Sequence, residues 1–346
     1  MASLLLLLLA LPLLAGLLLP LLPETPSSRV RGLAALAAAL QLLVGLVAWR
    51  QPPANLHLAW LPKLGLELDL GLDGLSLPLV LLTALLTSLA ILSAPADQSR
   101  PRLYYPLMLA TNLGVVGALL ARNALLFVLA FELVLIPTTL LVAIWGGPRR
   151  AGAAVRFLLY GAVSGLSLLA AVLAFGWFNA NGLAFGYDEL AVAAVGPRGQ
   201  AAILALLLLA FGLKLPVVPL HGWQPFTYGE APTPVVMLLG GAVSKLGAYG
   251  LLRFGVGFLP DVWTAWSPWI AAAGAISAVY GALNAIAQKD IRRLMAYSSL
   301  GHMGLLVLAL AAATPLSLQG AVDQCLAHSP IFSLLFSLFG LLERHT

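Results

Sequence analysis

The sequence predicts an all-α polytopic membrane protein. Of its 346 residues, 61% are hydrophobic and only 9% are charged, whereas soluble domains are about one-quarter charged. The mean hydropathy is +0.99. The apolar residues also form continuous stretches as long as a helix that crosses about 30 Å of hydrocarbon. Together these observations exclude a soluble globular domain.

About eleven apolar stretches have the length of a transmembrane helix, roughly 17 to 25 residues. They are 2–22, 32–49, 75–94, 104–121, 123–145, 157–178, 201–221, 233–256, 264–287, 294–313 and 319–342. No basic residue precedes the first stretch, which is unlike a cleavable signal peptide. We therefore expect it to remain as the first span.

Basic residues are unevenly divided between alternate loops. Eleven follow odd-numbered spans and five follow even-numbered spans. Because short basic loops stay cytoplasmic, we expect the N-terminus on the lumenal or periplasmic side of the membrane. The net charge of +5 comes from these short loops, so it does not indicate nucleic-acid binding.

Two longer polar segments separate some of the spans. Residues 50–74 contain three prolines and end in the alternating pattern LGLELDLGLDGL, which predicts a short external hairpin. Residues 179–200 form a second external loop. Neither segment carries a nucleotide-binding or zinc-protease motif, and the single cysteine, Cys325, excludes an internal disulfide framework.

Three charged residues lie deep within predicted spans. Lys214 follows thirteen uncharged residues and lies about 20 Å along its helix from Ala201. Glu132 and Lys245 lie about 14 and 15 Å into their own spans. A charge at the bilayer centre costs roughly 2.5 to 3.5 kcal/mol on insertion scales. We therefore expect these groups to face protein, a partner charge or water, and they predict a functional site.

Two prolines after Lys214 predict an interrupted helix within 201–221. Pro216 and Pro219 remove two backbone donors, which a membrane helix tolerates only beside protein or a hydrated cavity. A broken helix beside a mid-membrane charge is typical of a transporter site. A simple packing kink is the alternative.

Three histidines are candidate proton-relay groups, because imidazole titrates near neutral pH. They are His221, which ends the seventh span, His302 and His328. A hydrogen bond between helices is the alternative for each, and their separation in sequence argues against a metal site.

Glu132 and Lys214 also have two interpretations. Burial and a nearby carboxylate act in opposite directions on the pKa of a lysine, so movement of Glu132 relative to Lys214 would change proton affinity. The alternative is a static ion pair that joins two helices. Lys245 has no obvious second acid and is therefore the stronger candidate for a proton path.

Three segments resemble the antiporter-like membrane subunits of respiratory complex I and its photosynthetic NDH-1 relatives, most of all the chain 4 type. They are FELVLIPTTLLVAIWGG (131–147), LKLPVVPLHGWQPFTYGEAPTPVVMLLGGAVSKLGAYGLLRF (213–254) and QKDIRRLMAYSSLGHMG (288–304). The match runs in order from about Asp73. The resemblance implies that Glu132 and Lys214 form a pair, that Lys245 is the central lysine of a proton path, and that His302 and His328 are relay groups.

The same resemblance implies an antiporter-like inverted-repeat fold with a broken seventh helix. It divides the chain into an N-terminal three-helix segment with the external hairpin (1–103), a first five-helix repeat (104–256) and part of a second repeat (264–346). Family members continue beyond the eleventh helix, so we expect an incomplete second repeat, in a fragment or a shortened subunit. FTYGEAP also places Tyr228 where the family commonly has histidine.

The resemblance further implies proton translocation coupled to electron transfer in other subunits. No cofactor is expected in this chain; quinone, NAD(P)H or ferredoxin and iron–sulfur clusters belong to partner subunits. The expected partners are other NDH-1 membrane subunits, a hydrophilic electron-transfer arm and membrane lipid. The expected membrane is a cyanobacterial thylakoid or a bacterial plasma membrane, and GHMG, AATPLS and FGYDEL resemble variants linked to CO2 uptake.

Two alternatives remain at this point. One is a subunit of a multi-subunit Na+/H+ antiporter of the Mrp type, which shares these motifs but has no redox partner. The other is a non-conducting membrane scaffold left by truncation.

Overall fold

The chain is an all-α, multi-pass membrane protein. The computed structural model describes residues 2–23, 26–52, 55–178, 184–191 and 195–345. Within these ranges, eleven helical spans are long and apolar enough to cross a membrane. The predicted number of spans is therefore confirmed.

Each of the first four spans is formed by one helix. They are α1 (Ala2–Leu18, continued by a 3₁₀ turn at Leu19–Leu21), α2 (Ser27–Trp49), α3 (Ser76–Ser93) and α4 (Pro101–Leu120).

The fifth span consists of α5 (Ala124–Leu133) and α6 (Leu135–Trp145). They separate at Val134 because Pro137 has no N–H to donate to the carbonyl of Leu133. Glu132 lies immediately before this interruption.

The remaining helices include several short pieces. They are α7 (Arg150–Trp177), α8 (Tyr187–Ala191), α9 (Pro197–Lys214), α10 (Gln224–Glu230), α11 (Thr233–Leu238), α12 (Lys245–Gly250), α13 (Pro260–Ile286), α14 (Ile291–Ala312) and α15 (Pro315–His345). The span Thr233–Val256 is the most buried of the eleven. Lys245 therefore lies in the centre of the bundle.

Several predicted boundaries are wrong. The sixth span begins at Arg150 rather than 157, and the ninth begins at Pro260 rather than 264. At the sixth span, the long side chains of Arg150 and Arg156 can reach the interface while their backbone stays helical. At the ninth span, Pro260 stands at the first helical position, where its missing N–H costs no helical hydrogen bond. The seventh span ends at Lys214 rather than 221, and helix α10 occupies part of what was predicted as a loop.

The predicted hairpin is present. Strands β1 (Asn55–Leu61) and β2 (Leu66–Gly71) pair antiparallel from Asn55↔Gly71 to Leu61↔Leu66. The turn between them contains Gly65 at φ 64, a left-handed conformation that glycine adopts without steric cost. Asn123 donates its side-chain amide to the carbonyl of Gly65 at 2.9 Å, which fixes the hairpin to the start of α5.

Alternate loops meet at opposite ends of the bundle. At one end, called here the hairpin end, Arg122 pairs with Asp188 and Arg253 with Asp73. At the other, called here the arginine end, Arg149 contacts the carboxylate of Glu230 through its backbone N–H at 2.9 Å and its Nε at 3.0 Å.

Arg292 ties three elements together at the arginine end. It donates to both carboxylate oxygens of Glu343 at 2.6 Å, to the carbonyl of Ala231 at 2.8 Å and to the hydroxyl of Thr233 at 2.9 Å. The loops after odd-numbered spans therefore share one end of the molecule, as the alternation of basic loops predicted.

Candidate proton-transfer site

The interruption after α9 is stabilised by a neighbouring helix. Beyond Lys214, the N–H of Leu215 donates to the carbonyl of Phe211 at 2.7 Å, and that of Val217 donates to the carbonyl of Gly212 at 2.9 Å. The N–H of Val218 donates to the hydroxyl of Ser277 on α13 at 3.0 Å. Non-helical backbone at this depth therefore has protein partners, as a membrane interior requires.

Two glycines bring the helices of the two buried lysines into contact. A Cβ placed on Gly247 would lie 2.9 Å from the backbone of Phe211 and Leu215, and one on Gly250 would overlap the Phe211 ring. Helix α12 can therefore approach α9 closely only with glycine at these positions. This contact places the end of α9, with Lys214, beside the helix that begins at Lys245.

Lys214 is buried in a partly polar setting. The residue is 5% exposed, and its ammonium lies 4.4 Å from the centroid of the Phe131 ring, a favourable cation–π geometry. Lys214 also lines a small cavity with Tyr160, Ser164 and Trp223, in which about 10 Å³ is open to the centre of a water molecule. That space corresponds to about one water.

Glu132 lies near Lys214 without contacting it directly. The five ion pairs found within the described residues do not include these two side chains, although each is within electrostatic range of the other. The carboxylate of Glu132 lies against Gly165 of α7, where any side-chain carbon would overlap it. The static ion pair between the two helices is therefore not formed in this structure.

Lys245 is bound by neutral groups. It is 3% exposed, and its ammonium lies 3.2 Å from the carbonyl oxygen of Gly240, 3.8 Å from the sulfur of Met303 and 3.1 Å from Nδ1 of His328. None of the described ion pairs includes Lys245. The structure thus brings together two of the predicted site residues, Lys245 and His328.

A π-helical turn supplies the carbonyl that binds Lys245. Residues Leu239–Val243 form this turn, in which the N–H of Ser244 donates five residues back, to Leu239. The carbonyl of Gly240 accepts from the hydroxyl of Ser244 at 2.9 Å as well as from Lys245. π-Helical turns inside α-helices are frequent at functional sites, but the sequence pattern did not predict this one.

The predicted histidines extend from Lys245 toward the surface. The rings of His328 and His302 have centroids 5.3 Å apart, and Nδ1 of His302 lies 3.3 Å from the side-chain amide nitrogen of Gln324. His328 is buried and His302 is exposed. The three residues Lys245, His328 and His302 thus form a row from the core to the outside of this chain.

His221 lies elsewhere in the site. Its ring packs edge-on against Tyr280 of α13, with centroids 5.0 Å apart, and its Nδ1 is buried without a hydrogen-bond partner among the described residues. His221 follows the interruption after Lys214. The sequence analysis had predicted that it ends a helix, and that prediction is wrong.

Two polar residues of α10 were missed by the sequence analysis. Gln224 and Tyr228 are both fully buried and face each other one helical turn apart. The amide oxygen and nitrogen of Gln224 and the hydroxyl of Tyr228 have no hydrogen-bond partner of normal geometry among the described residues. A buried polar atom that stays unpaired lowers the free energy of unfolding by about 1 to 3 kcal/mol. The space around these atoms therefore favours an internal water molecule.

The neighbours of Tyr228 connect the two lysine sites. Its ring contacts Trp223, with centroids 6.0 Å apart, and Phe332, with centroids 5.5 Å apart. Trp223 lines the Lys214 cavity, and Phe332 stacks on His328. Gln224 and Tyr228 therefore lie between the surroundings of Lys214 and those of Lys245. Their burial could not be derived from the sequence because α10 itself was not predicted.

The described residues contain no group of three or more histidine, cysteine or carboxylate side chains that could hold a metal ion. The groups assembled around the two lysines are amines, imidazoles, hydroxyls and one carboxylate. Such groups can bind, release and pass protons.

A protein-family model matches this chain. The model described as NADH:quinone oxidoreductase/Mrp antiporter, transmembrane, matches residues 121–346, which is more than half of the chain. This chain belongs to that family. The matched region contains every predicted site residue, from Glu132 to His328.

Curated relatives point to one branch of this family. The chain is 41% identical over 342 residues to NAD(P)H-quinone oxidoreductase chain 4 1 of Synechococcus sp. (strain JA-3-3Ab), covering 97% of this chain and 65% of the relative. It is 40% identical over 339 residues to NAD(P)H-quinone oxidoreductase chain 4 of Prochlorococcus marinus (strain NATL2A), covering 95% of this chain and 63% of the relative. The chain thus spans somewhat less than two thirds of the length of these relatives.

Solved structures agree on the fold. A chain of respiratory complex I from Thermus thermophilus with bound NADH superposes with a TM-score of 0.90 at 30% identity, over 98% of this chain and 71% of that chain. A chain of the Mrp complex from Dietzia sp. DQ12-45-1b gives a TM-score of 0.88 at 27% identity, over 98% of this chain and 38% of that chain. The antiporter-like fold is therefore confirmed.

Proposed function

We propose that this chain is a proton-translocating membrane subunit of an NDH-1 complex, an NAD(P)H- or ferredoxin:quinone oxidoreductase. The observation that carries the proposal is the buried contact between Lys245 and His328, 3.1 Å apart, in the most buried span of the molecule. The relatives named NAD(P)H-quinone oxidoreductase chain 4 support this branch of the family.

Within the complex, this chain supplies the proton path, and other subunits supply the redox chemistry. Quinone, NAD(P)H or ferredoxin and iron–sulfur clusters belong to those subunits, which comprise other membrane subunits and a hydrophilic arm. The whole-complex structures among the neighbours support such partners. The membrane is a cyanobacterial thylakoid or a bacterial plasma membrane, with the arginine end inside and the N-terminus on the lumenal or periplasmic side, because basic loops stay inside.

In the first half of the path, Lys214 exchanges protons with one water in the cavity that it lines, and Glu132 acts on Lys214 through its charge. The Lys214 cavity has space for about one such molecule. Because the carboxylate and the ammonium are not in direct contact, small movements of either group change their electrostatic interaction substantially in a medium of low dielectric constant. Movement of Glu132 thereby changes the proton affinity of Lys214.

In the second half, Lys245 passes its proton to His328. The ammonium of Lys245 lies 3.1 Å from Nδ1 of His328 and can donate to it when that nitrogen carries no proton. An imidazole can take a proton on one nitrogen and release one from the other. His302 receives the proton next, since its ring is the neighbour of His328 on the exposed side. His221, which follows the helix interruption and packs against Tyr280, is a further relay group.

Gln224 and Tyr228 join the two halves through internal water. Their unpaired polar atoms can each hold a water molecule between the aromatic neighbours of Lys214 and of His328. In the repeat organisation, residues 104–256 hold Glu132, Lys214 and Lys245 in the first five-helix unit. Residues 264–346 add His302 and His328 from part of the second, and 1–103 form the N-terminal three-helix segment.

The experiment that tests this proposal uses the whole complex in sealed membrane vesicles. A tagged chain is purified with its partners, and vesicle acidification is followed while electrons pass from NAD(P)H or reduced ferredoxin to quinone. We expect co-purification of iron–sulfur subunits and proton uptake that depends on electron flow. Proton release driven by a sodium gradient, without any redox partner, would favour the Mrp-type antiporter instead. Co-purification with unaltered proton flux after substitution of Lys214 and Lys245 would favour the scaffold.

A further inference from the structure

Two guanidinium groups lie against one exposed aromatic ring at the arginine end. Phe226 on α10 is 38% exposed. The guanidinium carbon of Arg156, from α7, is 3.8 Å from the centroid of its ring, and that of Arg293, from α14, is 5.5 Å away. Helices that are remote in sequence thus bring two positive charges to the same ring.

These two charges lack an acidic partner within the described residues. The nearby carboxylates are already engaged. Glu230 binds Arg149 and Glu343 binds Arg292, while Asp290 caps α14 by accepting from the backbone N–H groups of Arg292 and Arg293. The ion pairs of the described residues include neither Arg156 nor Arg293. Because both guanidinium carbons lie near the same ring centroid, they are no more than about 9 Å apart, and like charges at that distance repel each other. An anion that both side chains can reach is therefore stabilising. Phosphate fits because its oxygens match the planar donor fork of arginine.

A strip of exposed apolar side chains begins beside Arg156 and runs toward the membrane interior. Its members are Val155, Leu159, Val163 and Leu166, which repeat at helical spacing on one side of α7. The strip extends about 16 Å from the arginine end into the span. A ligand with a phosphate group and long apolar chains therefore matches both parts of this surface, whereas free phosphate matches only the first.

We propose that Arg156, Arg293 and Phe226 bind the headgroup phosphate of an anionic phospholipid, whose acyl chains lie along the α7 strip. The lipid bridges α7 and α14 across α10, the helix that carries Gln224 and Tyr228. Its binding depends on the charge and geometry of the two arginines, and it is independent of whether the chain moves protons.

The test compares lipid binding by the assembled complex and by variants. Complexes carrying Arg156→Gln with Arg293→Gln, called the double variant, are purified next to the wild type and to a control with Arg29→Gln and Arg100→Gln. These are two exposed arginines of the same end, so the control removes the same two charges. After detergent exchange, each receives vesicles of phosphatidylglycerol in phosphatidylcholine. Retained phosphatidylglycerol per complex is counted by mass spectrometry, and the thermal midpoint of the complex is recorded.

We expect the double variant to retain one fewer phosphatidylglycerol than the wild type and the control, and to lose the rise in thermal midpoint that this lipid causes. Equal retention in all three complexes would overturn the proposal. The proposal would also be overturned if inorganic phosphate alone raised the thermal midpoint as much as the lipid does. It would likewise be overturned if an acidic protein co-purified with the complex and covered the two arginines. Should the double variant fail to assemble, the comparison is repeated with Arg156→Gln alone. Arg156→Lys keeps the charge, and we expect its lipid retention to lie between that of the wild type and that of Arg156→Gln.

Discussion

Lys245 shows how one side chain can carry a charge in the membrane interior without an acid. A carbonyl, a thioether and an imidazole surround its ammonium. Neutral dipoles of this kind stabilise a charge but leave no counter-ion behind when a proton departs. Lys214 differs, because Glu132 is within electrostatic range of it. Loss of a proton from Lys214 therefore removes a positive charge near the Glu132 carboxylate. Loss of a proton from Lys245 leaves only neutral groups around it.

A methyl group at Gly165 is expected to displace Glu132. The Cβ of a Gly165→Ala variant overlaps the carboxylate, so the side chain must move or α5 and α7 must separate, at a cost of about 1 to 3 kcal/mol. We expect weaker proton pumping per electron in vesicles of the assembled complex.

Gly152→Ala is the matched control on the same helix. No atom lies within 4 Å of the added carbon there, and alanine is favoured over glycine in a helix by up to about 1 kcal/mol. We expect unchanged pumping. Equal pumping by the two variants would show that the position of Glu132 does not matter.

Removal of the Tyr228 hydroxyl is expected to slow proton transfer while leaving the fold intact. Tyr228→Phe keeps the buried ring and its contacts with Trp223 and Phe332 but removes an atom that can hold water. Because a positioned proton-transfer group contributes about a hundredfold or more to a rate, we expect proton translocation at least about tenfold slower, with unchanged assembly. Tyr105→Phe, at another fully buried tyrosine, should pump normally. The idea fails if both variants pump alike.

At the scale of the element, interrupted helices hold the site. The break after α9, the separation of α5 from α6, and the π turn at Leu239–Val243 each lie beside a charged residue of the site. Side chains pair with backbone groups at these breaks. Ser277 of α13 pairs with the N–H of Val218, Thr138 with the carbonyl of Val134, and Ser244 and Lys245 with the carbonyl of Gly240. The site therefore depends on side chains such as Ser277 that do not themselves take up protons.

Ser277→Ala is expected to destabilise the interruption after Lys214. The variant leaves the N–H of Val218 without its partner, and a buried unpaired donor costs about 1 to 3 kcal/mol. We expect a lower thermal midpoint of the purified complex. Thr264→Val serves as control on the same helix, because its hydroxyl bonds only to its own helix, at Pro260. An unchanged midpoint in Ser277→Ala would mean that Val218 finds another partner.

The sequence predicted those elements that have a local signal. The lengths of the apolar stretches predicted the eleven spans, and the alternation of apolar and polar residues predicted the hairpin. The prolines after Lys214 predicted the interruption. Helix α10 was missed because its seven residues, Gln224–Glu230, are too few for a periodic pattern and mix polar with aromatic types. Boundaries shifted where basic residues continue a helix into the interface, as at Arg150.

Except for His221, which lies beyond the end of α9, the predicted site residues lie on correctly predicted spans, but their contacts could not be derived locally. The approach of Lys245 to His328 joins residues 83 positions apart and depends on a π turn that no local pattern indicated. The unpaired polar atoms of Gln224 and Tyr228 likewise result from tertiary packing. The roles of these residues in proton transfer remain predictions.

At the scale of the whole molecule, charged side chains link the loops at both ends, while the spans between them are largely apolar. At the hairpin end, Asp73 accepts hydrogen bonds from the backbone N–H groups of Leu75 and Ser76 at 3.0 and 2.8 Å and pairs with Arg253. It thereby joins the start of α3 to the end of the span that contains Lys245.

Asp73 predicts a pH dependence of stability. Burial by itself raises the pKa of Asp73, but the hydrogen bond from the Ser76 N–H and the charge of Arg253 outweigh it, so the pKa lies below its usual value of 3.8. A depressed pKa adds stability above the unfolded-state value and loses it as the pH falls through the folded-state value. The contribution is therefore constant from about pH 7 to about pH 5.

Asp73→Asn tests this, because the amide can still cap α3 but carries no charge. We expect a lower thermal midpoint of the complex, by an amount that is the same at about pH 7 and about pH 5 and shrinks only in stronger acid. Asp188→Asn breaks an ion pair whose acid side chain is 93% exposed and should have little effect. A difference for Asp73→Asn that changes between those two pH values would contradict the lowered pKa.

The ratio of protons moved to electrons transferred, measured in vesicles with Lys245→Ala in the assembled complex, tests the central claim most directly. Lys289→Ala, at an exposed basic residue of the arginine end, is the matched control. The account predicts that Lys245→Ala loses pumping through this chain, whereas Lys289→Ala keeps the wild-type ratio. A wild-type ratio in a fully assembled Lys245→Ala complex would contradict it.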